Sequence, residues 1–245
     1  MMETADFPPY VYGGIKGRSA KQFANRHRNK SCLIRLDITD FFPSITAVMV
    51  ERIFKRQLRC SKAVARIAAG LLTRVKPGGT FLPQGCSAST TVANLVLVPE
   101  DRRIEPEAVR LGVEYGRYLD DIALSGRDAR HVIPLAIGVL RNAGFCVSRR
   151  KLKVMAHSGA QDLVGLNVKG RLRPKRSFEK GCMALLRRAS DARVPKDRAK
   201  LLQCLKGKLA YARPFGGQFP ARLTRSIELL EKTIGVSNVD GESSF

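Results

Sequence analysis

The chain is poor in acids and poor in metal-binding side chains. Its 245 residues include 21 Asp and Glu against 44 Lys and Arg, and only three His. The Cys residues stand singly at 32, 60, 86, 146, 182 and 204, with no C-x-x-C pair. The ligand spacing of a zinc site is therefore missing. Lone Cys in apolar runs read instead as reduced core residues of a cytoplasmic protein. No apolar run is long enough to span a bilayer and no signal-peptide pattern opens the chain, so no membrane partner is expected. Internal repeats and low-complexity tracts are absent too, which excludes a solenoid. The shortage of acids leaves a net charge of +23. A chain this basic points to a polyanion, nucleic acid first, with a ribosomal-type protein or an anionic membrane surface as alternatives.

What is present suffices for one large domain or two small ones, since 44% of the residues are hydrophobic. The charge is uneven: residues 141–213 hold 20 Lys/Arg and 4 Asp/Glu. That segment reads as a phosphate-binding surface, or more plainly as a solvated face. Residues 1–15 are an irregular lead-in and 17–30 a short basic helix. SCLIRLDI (31–38) alternates as a strand, with Cys32, Ile34, Leu36 and Ile38 on one face. Two helical pieces follow over 45–75, then a turn at VKPGG (75–79). Residues 87–98 are helical with Ser87 or Ser89 as cap. VEYGRY (113–118) and IALS (122–125) are strands flanking a tight L-D-D hairpin. Asp128 caps a helix over 129–142 that Gly144 closes. DLVGLNV (162–168) is a strand, and a basic helical tail runs from 177 with breaks near Pro195 and Pro214. This order predicts an α+β fold, an antiparallel sheet backed by helices on one face.

The candidate site is the side-by-side pair Asp120 and Asp121. Turn residues project from a sheet end, so both carboxylates can address one spot. Asp37, at the end of the first strand, can join one or the other. Like charges that close repel unless a cation lies between them. Mg²⁺ prefers oxygen ligands, and two such ions about 4 Å apart suit a phosphoryl displacement. The bland alternative is a polar hairpin tip, where Asp is common.

Several further motifs stand in order around these acids. LDITDFFPSI (36–45), LPQGCSASTTVANL (82–95), RYLDD (117–121), VSRRK (147–151), QDLVGLNV (161–168) and LKGKLAY (205–211) together resemble the bacterial retron-like reverse transcriptases. The resemblance covers most of residues 12–213. It implies a polymerase palm over 31–168 with a helical insertion at 46–80, a fingers remnant over 1–30, and a basic helical thumb and tail over 169–245. It implies an RNA-directed DNA polymerase using two Mg²⁺ ions, with dNTPs, an RNA template and an RNA/DNA duplex as partners. A cognate non-coding RNA and an antiphage setting follow from the lineage.

The same resemblance implies roles for individual residues. Asp37 and Asp120, with the backbone at Ile38, would hold metal, and Asp121 would be the supporting acid. Asp40, Phe41 and Phe42 would flank the dNTP, Phe42 as steric gate and Phe41 equally a core residue. Gln84 and Gly85 would meet the nucleotide sugar. Lys151 would neutralise or protonate the leaving pyrophosphate, unless it is only one cation of a basic run. Tyr118, Leu119 and the stretch Leu163, Val164, Gly165 and Leu166 would brace the primer.

Three departures from the family pattern stand out. Only about ten residues precede Y-G-G-I-K-G-R-S, where the family carries a fingers segment. A start placed too late, a second chain supplying fingers, or Arg18 and its neighbours in their stead is then expected, and a catalytically weak RNA-binding subunit is the rival reading. A template-independent or protein-primed DNA polymerase is another. F-A-N-R-H (23–27) and L-V-G (163–165) replace N-A-x-x-H and V-T-G, motifs tied to retron RNA. His27 is kept as an RNA contact or a helix-packing residue. Leu119 stands where Ala is usual.

Overall fold

The computed structural model describes residues 6–192 and 194–239; the ends of the expected lead-in and tail, 1–5 and 240–245, lie outside them. The chain divides into two compact units. One holds the residues up to 164 together with 168–170, and the other holds 165–167 and everything from 171 onward.

The first unit is built on β1 (Cys32–Asp37). Its elements in chain order are α1 (Ala20–Arg26), β1, α2 (Phe41–Ser44), α3 (Ala47–Arg56), α4 (Lys62–Leu72), β2 (Arg74–Lys76), β3 (Gly79–Phe81), α5 (Ser87–Arg110), β4 (Glu114–Tyr118), β5 (Asp121–Ser125), α6 (Ala129–Asn142), β6 (Lys153–Ala156) and β7 (Asp162–Leu163). Four strands form an antiparallel sheet in the order β4-β5-β1-β6. Directly opposed residues share a face in such a sheet. Ile34, Leu36, Ile122, Leu124 and Tyr115 therefore face α5 and α6 in the main core.

The second face is covered at one end only. α1 lies over β4 there, opposite the α5 side. Phe23 and His27 of α1 crowd Gly116, where an added Cβ would come within 2.8 Å of the His27 ring. Only glycine fits. The Arg26 guanidinium pairs with Glu114 on the same face. Helices thus flank both faces of the sheet, not the one face that the strand alternation suggests. Leu33 and Ala123 are fully buried on this side.

Several local expectations change. The turn at VKPGG is the tip of the β2–β3 hairpin. Cys86, not Ser87 or Ser89, takes the N-cap position of α5. That helix also continues past Pro99 and Pro106 to Arg110. Pro99 cannot donate to the carbonyl four residues back. Gln57 Nε2 donates to that Leu95 carbonyl instead, at 3.0 Å, so the helix is not forced to end. Asp128 precedes α6 without a side-chain cap bond. The strand expected over 162–168 is broken: Val164 and Gly165 have φ of 41° and 82° and turn the chain. β6 was not expected at all. It adds to the free edge of β1.

The second unit is a helical bundle. β8 (Leu166–Asn167) pairs with β9 (Arg173–Pro174). α7 (Arg176–Asp191), α8 (Pro195–Ala212) and α9 (Gln218–Val239) follow. Cys182, Leu202, Leu205, Leu209, Leu223 and Ile227 form their shared core. The breaks fall where Pro195 and Pro214 place them, at the first residue of α8 and in the 3-10 turn Arg213–Phe215.

One polar network lies inside the first unit. Arg117 of β4 is fully buried beside Asp101 of α5. Its Nη2 lies 2.7 Å from Asp101 Oδ2, and its Nη1 donates to Asn94 Oδ1 at 2.8 Å and to the Leu119 carbonyl at 3.0 Å. Tyr115 Oη donates to Asp101 Oδ1 at 2.5 Å. Removing one partner strands a buried charge. Arg117→Met is expected to cost about 3–5 kcal/mol in urea unfolding, and pairing it with Asp101→Asn to cost less than the sum of the two.

Candidate active site

The three acids meet at one end of the half-covered sheet face. Asp37, the last residue of β1, stands directly across from Asp121, the first of β5. Tyr118, the last of β4, is opposite Asp121 in turn. Leu119 and Asp120 make the two-residue connection between β4 and β5, with Leu119 at φ 55°. That left-handed residue is held from beneath, because its carbonyl accepts from Arg117. The lead-in supports the same hairpin. Tyr12 N–H donates to the Arg117 carbonyl at 2.8 Å and Arg117 N–H to the Tyr10 carbonyl at 2.8 Å. Asn94 Nδ2 donates to the Gly13 carbonyl at 2.7 Å.

Two cations answer the acids. Lys151 Nζ lies 2.9 and 3.2 Å from the two oxygens of Asp37. The V-S-R-R-K segment brings it there: Thr39 N–H donates to the Cys146 carbonyl and Ser148 N–H to the Asp37 carbonyl, each at 2.8 Å. Arg35, two residues before Asp37 and so on its face, places Nε 2.9 Å from Asp121 Oδ1. Burial holds the Asp120 carboxyl above the usual range, and the Asp37 charge adds to the effect. Burial likewise raises Asp121; Arg35 opposes the shift, and Asp120 and Asp37 reinforce it. Among the described residues no group of three or more His, Cys, Asp or Glu is arranged to enclose a metal ion. Asp37 and Asp121 are engaged by Lys151 and Arg35.

The other expected residues divide. Phe41 is buried in the core, its ring 5.9 Å from Phe145, so it does not flank a nucleotide. Phe42 is half-buried beside it. The two sit in the one-turn helix α2, roughly 100° apart and not on opposite faces of a strand. Asp40 and Gln84 are exposed. Gly85 has φ of 91°, which accounts for the glycine without any close neighbour. Ile38 bridges to Val147 with its side chain in the core. Leu163 and Leu166 are fully buried, which withdraws their side chains from a primer. Val164 and Gly165, in the turn between them, remain accessible.

Arg18 and His27 are corrections. Arg18 donates from Nη1 to the carbonyls of Pro8 and Val11 and from Nη2 to that of Phe7. It clamps the lead-in instead of reaching toward a triphosphate. His27 is fully buried, 2.7 Å from Ser125 Oγ and edge-on to Phe23, so it packs α1 on the sheet and touches no RNA. Arg35, Asn94, Asp101 and Arg117 were missed as contributors to this site. For Arg35 and Asn94 a charged or amide residue inside an otherwise apolar stretch is the available signal; Asp101, within P-E-D-R-R, has none of that kind.

With that geometry in place, comparison with known proteins is decisive. The family model described as "Reverse transcriptase (RNA-dependent DNA polymerase)" matches residues 1–179. The chain belongs to the reverse transcriptase family. Its relatives are of the bacterial retron type. It is 31% identical to the Retron Mx65 reverse transcriptase of Myxococcus xanthus, over 89% of this chain and 54% of that one. It is 31% identical to the Retron Se72 reverse transcriptase of Salmonella heidelberg, over 63% of this chain and 41% of that one. The chain thus spans about half the length of these relatives. Among solved structures, a foamy viral protease-reverse transcriptase in complex with double-stranded DNA superposes with a TM-score of 0.54. It is 17% identical, covering 90% of this chain and 34% of that one, and shares the reverse transcriptase fold.

Two outcomes follow from the charges. Asp120 ionises at a cost in the fold, so Asp120→Asn is expected to raise the urea midpoint. The gain should stay below about 1 kcal/mol, because solvent screens a partly exposed group. His27 is the opposite case: burial, with Arg26 and Lys30 adding to it, lowers its pKa to about 3. The unfolded chain then binds the extra proton, and stability falls as pH drops from about 6.5 toward 3, by about 1.4 kcal/mol per unit. Unfolding measured across that range should show a shallower slope for His27→Gln.

Proposed function

We propose that the chain is an RNA-directed DNA polymerase that extends a primer 3′-OH with dNTPs on an RNA template. The carrying observation is Asp37 directly across the sheet from Asp121, with Asp120 in the turn between β4 and β5. In this reading residues 31–168 are the palm, with 46–80 as its helical insertion. Residues 1–30 stand for the fingers, and 169–245 form the thumb and tail. A cognate non-coding RNA is the template, in a retron or antiphage-defence setting. A second protein chain supplying fingers or an effector is a further partner.

The donor set suits a hard divalent cation: carboxylate and carbonyl oxygens, opening to the uncovered face of the sheet. Asp37, Asp120 and the Ile38 carbonyl would hold Mg²⁺ as a pair of ions, with Asp121 steadied beside them by Arg35. When bound, Mg²⁺ supplies charge neutralisation at the reacting phosphate and lowers the barrier to attack by the 3′-OH. The residues of the chain position the rest. Phe42 would act as the steric gate against a ribose 2′-OH, which would favour dNTP over rNTP. Asp40, Gln84 and Gly85 border the nucleotide. Lys151, whose ammonium lies on Asp37 in the free chain, is the cation available to the departing pyrophosphate. Tyr118, Leu119 and the Val164–Gly165 turn would meet the primer. The basic thumb would follow the duplex by phosphate contacts, so binding should weaken steeply with salt.

The test is dNTP incorporation on a primed RNA template with and without Mg²⁺. The wild-type chain should incorporate, and Asp121→Asn should lose about a hundredfold or more. Background signal in both, with duplex binding retained, would leave an RNA-binding subunit in place of a self-sufficient enzyme. In the same assay Phe42→Ala should raise rNTP use relative to dNTP by about tenfold, the scale of one lost steric contact.

A further inference from the structure

α4 has the sequence KAVARIAAGLL, and Lys62 and Arg66 are its only polar side chains. A helix apolar on nearly every side is normally enclosed on nearly every side. This one is not. It packs on α3 and buries Ala65 and Ala69. Val64, Ile67 and Leu71 are 52%, 64% and 82% exposed. Val75, in the hairpin strand that follows, is 82% exposed. Ala65 and Ala69 are inside with Leu72 half-buried against the core, while three of the large aliphatic side chains are in water, unlike an ordinary surface helix. Ala63 and Gly70 are exposed between them. Side chains that small let a second helix approach closely.

The charge along the chain that carries this face, from after Glu51 of α3 to before Glu100 of α5, has one sign. Between Glu51 and Glu100 the sequence carries eight Lys and Arg and no acid. Lys62, Arg66 and Arg74 are exposed and make no ion pair among the described residues. An apolar strip beside unanswered cations calls for an apolar strip beside acids.

We propose that the exposed face of α4, continued by Val75, docks an amphipathic helix of another protein whose polar flanks are acidic. A second copy of this chain fits poorly, because it would set cations against cations with no acid to separate them. Nucleic acid would answer the cations and leave Ile67 and Leu71 in water. A lipid bilayer is too thick for an element of about 16 Å to span, and the strip carries none of the aromatic side chains typical of an interfacial helix. The surface shares no residue with the carboxylate site, so the proposal stands or falls separately from the polymerase reading.

The test uses the full chain and a fluorescent synthetic helix with a Leu/Ile face flanked by Glu, followed by anisotropy. A twin peptide carries Lys in place of Glu, and the chain variant is Ile67→Ser with Leu71→Ser. The Glu peptide should saturate the wild-type chain. The variant and the Lys peptide should each weaken binding by about tenfold or more. Both substitutions are in exposed side chains, so the thermal midpoint and primer extension should not move. No binding of the Glu peptide, equal binding to both chains, or equal binding of both peptides would overturn the proposal. So would flotation with phosphatidylglycerol vesicles that the variant abolishes, which would assign the face to lipid. A dimer in sedimentation that the variant dissolves would assign it to a second copy.

Discussion

Arg117 carries its charge into the interior of β4, and the structure around the acids is arranged to answer it. Asp101 pairs with it from α5, Asn94 accepts from it one helical stretch earlier, and the Leu119 carbonyl accepts from it in the hairpin turn. These three partners belong to two elements, α5 and the β4–β5 turn. One side chain therefore sets the distance between α5 and β4 and the conformation of the turn that carries Asp120. Its backbone takes part as well, bonding the lead-in at Tyr10 and Tyr12. An apolar set replacing both Arg117 and Asp101 could fill the space with equal or greater stability. It could not fix a left-handed Leu119, and the register of the two strands depends on that turn.

The sheet has one fully covered face and one half-covered face, and the acids occupy the uncovered part of the second. α1 decides where the cover ends. Phe23 and His27 press on Gly116 in the middle of β4, and Arg26 takes Glu114 at its far end from Asp121. A neutral His27 keeps this contact free of charge, which ties the seating of α1 to pH. The acidic end stays open, and it is there that burial raises Asp120 and Asp121. Rigidity beneath the site and electrostatic cost within it are complementary: the network below holds carboxylates in positions that they would not adopt unaided.

Much of this was legible in the sequence because it is local. The strand at 31–38, the helices over 45–75 and 129–142, and the hairpin at Asp120 follow from period and turn chemistry. The breaks at Pro195 and Pro214 do too. The errors come from contacts distant in sequence. α5 passes Pro99 because Gln57, 38 residues from Leu95, supplies the missing donor. β6 exists because β1 has a free edge, which no local pattern records. The strand at 162–168 breaks at Val164 and Gly165, where Gly was the only local sign. Arg18 and His27 looked like surface residues of a basic segment. The lead-in carbonyls and the sheet claim them instead. Among the candidate-site residues the carboxylates stand out by their position in the sequence, whereas Arg35 and Arg117 join them only once β1 and β4 lie beside their partners.

The buried acids show how a chain with 44 cations and 21 acids keeps a negative site. Asp101 has Arg117, Asp37 has Lys151 and Asp121 has Arg35. Each cation comes from a different segment, so each acid is neutralised by the fold and not by its own neighbourhood in sequence. Asp120 is the exception. Among the described residues no side chain pairs with it, and its own backbone N–H is the group that stabilises its charge most. The three compensated acids hold the structure; the uncompensated one marks where charge is still required. In the proposed reaction Asp37 and Asp120 would hold a divalent cation, and Lys151 would no longer be needed as the partner of Asp37. The same ammonium is then free for the phosphate side of the site, so the ion pair of the resting chain and the role proposed for Lys151 in turnover are two states of one side chain.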